Sequence, residues 1–244
     1  MSKAKERLIV ALDLPSKNDV VRVCEAVGEN AVFYKVGLQL FLAEGQAIVH
    51  YLKSRGSKVF LDLKLHDIPH QVAGACREIV RMGVDMTTIH TMGGVEMMQT
   101  AVKAIKESAQ EFGVKPPILL GVTVLTSLNQ SQAGEIGITA GISGHVVRLA
   151  TLAKESGLDG VVASPLESGG IRGAVRDDFV IVTPGIRSSA DAVGDQKRVL
   201  SAADAIAAGS TYLVIGRPIV KSTDPAQAAA LITSEIERAL TAAI

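Results

Sequence analysis

Short apolar, β-branched runs alternate with stretches of helical periodicity along the whole chain. The runs predict strands at 8–12, 33–36, 59–63, 86–89, 118–124, 160–163, 179–182 and 212–215. Between them, Val72, Ala75, Cys76, Ile79 and Val80 form one helical stripe, and Ala101, Val102, Ile105 and Ala109 another. A last helix begins at Asp224-Pro225, an N-cap residue before a first-turn proline, with the stripe Ala228, Leu231, Ile232, Ile236 and Leu240. Runs such as 118–124 are apolar on both faces, as expected of parallel strands covered by helices. Eight strand–helix units within 244 residues, without a linker or low-complexity tract, predict one (β/α)₈ barrel domain over residues 1–244. A doubly wound open sheet is the competing topology, but no G-x-G-x-x-G follows the first strand.

The charged residues are placed unusually for such a pattern. Residues 58–67 read Lys-Val-Phe-Leu-Asp-Leu-Lys-Leu-His-Asp, an apolar strand running into Asp62, Lys64 and Asp67. In a regular strand, i and i+2 share a face, so Asp62 and Lys64 project together while Leu61, Leu63 and Leu65 point away. Burying such charges is costly unless they pair or do chemistry; a structural ion pair at a strand end is the plainer alternative.

In a barrel, active sites form at the C-terminal ends of the strands. Those ends carry Asp13, Lys35, Asp62 with Lys64, His90, residues 123–127, Ser164, residues 185–187 and Gly216-Arg217. The first four charges alternate in sign, so each offsets its neighbour in a partly desolvated mouth. The seventh and eighth ends, Thr183-Pro184-Gly185-Ile186-Arg187 and Ile215-Gly216-Arg217-Pro218, combine glycine with arginine. That chemistry suits an anion, at the usual phosphate-binding place of these barrels; tight turns with solvated arginines are the alternative. Two long connections, 126–143 and 185–195, read as lids over a ligand or as surface decoration.

Composition narrows the partners. Hydrophobic residues make up 48% of the chain, enough for a sizeable core. The 25 basic and 25 acidic residues cancel, which argues against a general nucleic-acid footprint. The N-terminus is polar and charged rather than a signal peptide, and the longest apolar runs are too short to span a bilayer. Cys24 and Cys76 fall at apolar helical positions without ligand spacing, so they read as reduced core thiols of a cytoplasmic protein. His66 and His90 lie near the mouth without a metal-binding pattern and read as core or supporting residues; His50, His70 and His145 sit in helical segments.

These residues resemble a known family, orotidine 5′-phosphate decarboxylase. The resemblance runs through Ala11-Leu12-Asp13, Tyr34-Lys35-Val36-Gly37, Asp62-x-Lys64-x-x-Asp67, Leu125-Thr126-Ser127, Thr183-Pro184-Gly185-Ile186-Arg187, Gly194-Asp195-Gln196 and Gly216-Arg217-Pro218. It implies a cofactor-independent conversion of orotidine 5′-phosphate to UMP, with Lys64 as proton donor to the pyrimidine C6. It places Asp62 against the substrate carboxylate, between Lys35 and Lys64, and assigns Asp13 and Lys35 to the ribose hydroxyls. It implies a homodimer in which Asp67, followed by Ile68, reaches the neighbouring subunit's site. Thr126 is implied at the pyrimidine edge, and Gln196, Arg217 and the backbone of Gly216 at the phosphate, with Arg187 nearby. The family reads Ile-Pro-Asn-Thr where this chain has Ile68-Pro69-His70-Gln71, so Gln71 would offer an amide where relatives offer a hydroxyl.

Two rivals follow. Keto-sugar-phosphate decarboxylases and hexulose phosphate synthases share Asp-x-Lys-x-x-Asp but use Mg²⁺ with an acidic ligand after the second strand, where this chain has Lys35, an ammonium that repels a divalent cation. A non-catalytic phosphate-ligand-binding barrel would keep Gly216-Arg217 and lose the charged array, which is intact here.

Overall fold

A computed structural model describes residues 3–175, 178–186 and 200–242. Its strands are β1 (Leu8–Ala11), β2 (Phe33–Gly37), β3 (Lys58–Leu65), β4 (Met86–His90), β5 (Ile118–Val122), β6 (Gly160–Val162), β7 (Val180–Pro184) and β8 (Tyr212–Ile215). They pair in parallel in sequence order, and β8 closes on β1 through Leu8↔Leu213 and Val10↔Ile215. Every predicted strand is present. The third and seventh extend further toward the mouth than expected, and the fifth ends two residues early at Val122.

Side-chain alternation sorts the apolar residues into three cores. Ile9, Ala11, Phe33, Phe60, Met86, Leu120, Val182 and Val214 fill the barrel. The opposite faces of the strands meet the helices: Leu8, Val10, Val36 and Leu61 pack with Val20, Cys24, Val49 and Leu52. On the other side, Ile89, Leu119, Val161 and Ile181 pack with Val72, Cys76, Met97 and Ala101. Both thiols are free and buried, and desolvation pushes Cys24 up to about 11 and Cys76 up to about 12.

The helices Pro69–Arg81 and Gly94–Phe112 carry the two predicted stripes. The final helix, Pro225–Ala242, is capped as expected, Asp224 Oδ1 accepting from the Gln227 N–H at 2.9 Å. Its buried face is Ala229, Thr233 and Ile236, so Leu231, placed in the stripe from sequence, is exposed instead. The 126–143 connection is not one open loop. It contains the helix Gln130–Glu135, started by a capping box in which Asn129 accepts from the Gln132 backbone and Gln132 answers the Asn129 N–H.

Candidate active site

The inward-facing register of the first four strands builds the site. Asp13 follows the inward Ile9 and Ala11; Lys35 follows Phe33; Asp62 follows Phe60; Thr88 and His90 follow Met86. Parallel pairing sets Gly37 beside Asp62 and brings Thr88 level with it. The apolar barrel interior therefore ends, at its C-terminal mouth, in a tier of charged groups.

These groups form a continuous chain of alternating sign. Lys35 Nζ donates to Asp13 Oδ1 at 2.8 Å and lies 3.7 Å from Asp62 Oδ2; Lys64 Nζ donates to that same Oδ2 at 2.7 Å. The side chains of Asp62 and Lys35 are 9% and 10% exposed, Lys64 30% and Asp13 63%, so the array runs from barrel interior to open mouth. Two oppositely charged neighbours, Lys35 and Lys64, offset the desolvation of Asp62. Gly37 makes room for the pair: a Cβ there would sit 3.1 Å from Lys35 Nζ and 3.2 Å from Asp13 Oδ1.

Lys64 corrects one sequence-based expectation. The strict alternation that set Asp62 and Lys64 on one face assumed a regular strand. Instead the β3–β4 register shifts between Leu61 and Leu65, and Lys64 has φ 52°, alone among the described non-glycine residues in having positive φ. This is a β-bulge, a device that re-aims one side chain beside a site. The ammonium still meets Asp62, but by a turn of the backbone rather than by pleat alternation.

The rest of the mouth is less tightly built. Asp67 is exposed, and its Oδ1 accepts from the Ile68 N–H at 2.6 Å, outside the array. Ile68 and Gln71 are exposed around the start of the helix Pro69–Arg81. Thr126 is half-buried in the turn after β5. At Gly216 an added Cβ would sit 3.4 Å from the Ala11 Cβ and 3.9 Å from Asp13 Oδ2, and Arg217 is exposed beyond it. Arg187 and Gln196 lie outside the described residues.

One further residue, Thr88, was not assigned a role from sequence, and a pair, His66 and His90, was read there only as core or supporting residues. Thr88 is fully buried and bonds both to Asp62 and to the Lys64 backbone. Its signal was available: it is a polar residue at the inward position of β4 that follows Met86. His66 and His90 stack with ring centroids 5.3 Å apart. The His90 pKa is held below the usual imidazole range, first by burial, then by His66 and the Lys64 ammonium, with Asp62 pulling the other way. Among the described residues, no three His, Cys, Asp or Glu side chains gather as a metal cluster.

A closed parallel barrel ending in a desolvated lysine–aspartate array is the architecture of a (β/α)₈-barrel enzyme. Residues 6–232 match the family model described as orotidine 5′-phosphate decarboxylase / HUMPS family, and the chain belongs to that family. It is 48% identical over 235 residues to an orotidine 5′-phosphate decarboxylase of Moorella thermoacetica, covering 96% of this chain and 93% of the relative. The crystal structure of orotidine 5′-phosphate decarboxylase from Lactobacillus acidophilus superposes with TM-score 0.83 at 35% identity, covering 94% of this chain and 98% of that one. The same enzyme from Pyrococcus horikoshii OT3 gives 0.73 at 27% identity, covering 94% and 99%.

Proposed function

We propose that this chain decarboxylates orotidine 5′-phosphate to UMP, with Lys64 as the proton donor to C6. The observation that carries the reading is the Lys64 ammonium held 2.7 Å from Asp62 at the barrel mouth, with Lys35 on the other side of the same carboxylate oxygen. In the reaction, the bond between C6 and the carboxylate breaks and carbon dioxide leaves. The electron pair stays on C6, and an N–H of Lys64 supplies the proton; the amine then regains one from water. A preorganised ammonium where negative charge develops stabilises the transition state and shortens the proton's path. Asp62 beside the substrate carboxylate would be relieved as that charge departs.

Asp13 and Lys35 would take the ribose hydroxyls, Thr126 the pyrimidine edge, and Gly216, Arg217, Gln196 and Arg187 the phosphate. Gln71 and Ile68 would border the ribose side. Phosphate binding remote from C6 can position the ring. Residues 1–244 would act as one barrel domain.

A homodimer that uses this mouth is supported by its apolar rim. Leu38, Leu42, Ile68, Met92 and Val95, all on connections leaving β2, β3 and β4, are exposed, Leu42 to 81% and Ile68 to 64%. Asp67, beside Ile68 on that rim, would enter the neighbouring site. No described helix is long and apolar enough to cross a membrane; a cytoplasmic, metabolic setting accords with the reading.

The Mg²⁺-dependent branch of the family is disfavoured by one geometric fact. Lys35 Nζ stands between Asp13 and Asp62, 2.8 and 3.7 Å away, where a divalent cation would need to bind those carboxylates. The decisive assay follows loss of orotidine 5′-phosphate absorbance in excess EDTA. Turnover is expected there, and Lys64→Ala should lower it by at least about 10³-fold while a phosphate ligand such as UMP still binds. Activity only on a keto-sugar phosphate with Mg²⁺ would overturn the reading.

A further inference from the structure

We infer that Thr88 is a positioning residue for the reaction: its hydroxyl sets the backbone bulge that aims the Lys64 ammonium and, at the same time, fixes the rotamer of Asp62. The inference rests on the reading of Lys64 as proton donor.

Lys64 occupies a left-handed conformation, φ 52°, that a non-glycine residue adopts only when its surroundings hold it there. Leaving the regular ladder takes its N–H away from a strand carbonyl. Thr88 supplies the replacement, its Oγ1 accepting that N–H at 2.9 Å. The same hydroxyl donates to Asp62 Oδ1 at 3.0 Å, which leaves Oδ2 facing both ammonium groups. A single buried oxygen thus joins the backbone of one charged residue to the carboxylate of its partner.

Strand β4 holds the bulge at neighbouring points as well. Thr87 Oγ1 donates to the Leu61 carbonyl at 3.0 Å, where the register begins to slip, and His90 stacks on His66, two residues past Lys64. Of these contacts, the Thr88 contact alone touches both Asp62 and Lys64. Without it, the partly buried Lys64 N–H would lose its partner, and Asp62 could rotate away from the lysines. Misplacing a reacting group by about 1 Å can cost on the order of 10²-fold in rate.

The test separates the hydroxyl from the volume it occupies. Thr88→Val keeps the shape and removes both hydrogen bonds; Thr88→Ser keeps the hydroxyl and removes a methyl. The expected result is a fall in kcat of on the order of 10²-fold for Thr88→Val, little change in UMP affinity, and recovery of most of the loss in Thr88→Ser. A packing role predicts the reverse order, valine active and serine impaired, and would overturn the inference. Should the valine chain not fold, Thr88→Ala against Thr88→Ser carries the same comparison, because that pair differs by the hydroxyl alone. Lys64→Ala runs alongside. If it keeps turnover, the donor assignment is wrong; if it is inactive while Thr88→Val matches the parent, only the positioning role is lost.

Discussion

A half-buried histidine at the mouth makes stability depend on pH. Burial, His66 and the Lys64 ammonium all disfavour protonated His90 in the folded chain, so its folded pKa lies below the usual 6.5. Between those two values the unfolded chain binds more protons, and stability falls as the pH drops through that window. Above the unfolded value the histidine is neutral in both states and has no effect. Melting temperatures measured down from neutrality should therefore decline below about pH 6.5, and His90→Gln should flatten part of the decline. His145, whose pKa is lowered mainly by burial, contributes with the same sign and remains in the variant. An equally steep acid limb in both proteins would remove His90 from the account. At this scale much of the site was legible: Asp13, Lys35 and Asp62 stand at inward positions that strand alternation predicts. Lys64 was legible in identity but not in geometry, because its bulge depends on Thr87 and Thr88 some two dozen residues away, and a period-2 reading knows only the local chain.

Among the elements, β6 shows how closely the barrel is drawn together. Gly160 opens that strand opposite Val180, and a Cβ there would sit 2.2 Å from the Val180 carbonyl oxygen. That neighbour is backbone, so it cannot swing aside as a side chain would. Gly160→Ala should force β6 and β7 apart and lower stability by about 1–3 kcal/mol, seen as a lower urea midpoint at unchanged slope. An unchanged midpoint would mean the barrel can relax locally. The strands were readable because eight separated β-branched runs are a strong signal. The helix Gln130–Glu135 was missed because it is short, contains Gly134 and buries only Ala133, so it carries no apolar stripe. Its capping pair, Asn129 and Gln132, was the one cue in the sequence. Leu231 erred the other way: it follows Ala228 by three residues, yet the buried face runs through Ala229, Thr233 and Ile236 and leaves it in solvent.

For the whole molecule, the open question is where the Lys–Asp array ends. The described chain assembles Asp13, Lys35, Asp62 and Lys64, while Asp67 is exposed beside an apolar rim. No pattern within one chain can reveal a contact made by two, so this residue's place came from resemblance alone. Mixing two inactive variants resolves it. If Asp67 serves the neighbouring subunit, a hybrid dimer of Lys64→Ala and Asp67→Ala chains contains one site with both residues intact, and refolding the mixture should restore activity. If Asp67 serves its own subunit, every site keeps one defect and the mixture stays inactive.

The bond from Thr88 to the Lys64 backbone also bears on how this family can be recombined. The lysine sits on one strand and the oxygen that shapes its backbone on the next, 24 positions along. A chimera with its crossover between β3 and β4 would inherit Lys64 from one parent and the hydroxyl bonded to its backbone from the other. Two active parents could then yield an inactive offspring with every charged residue in place. Recombination that keeps residues 61–90 as one block would keep the two halves together.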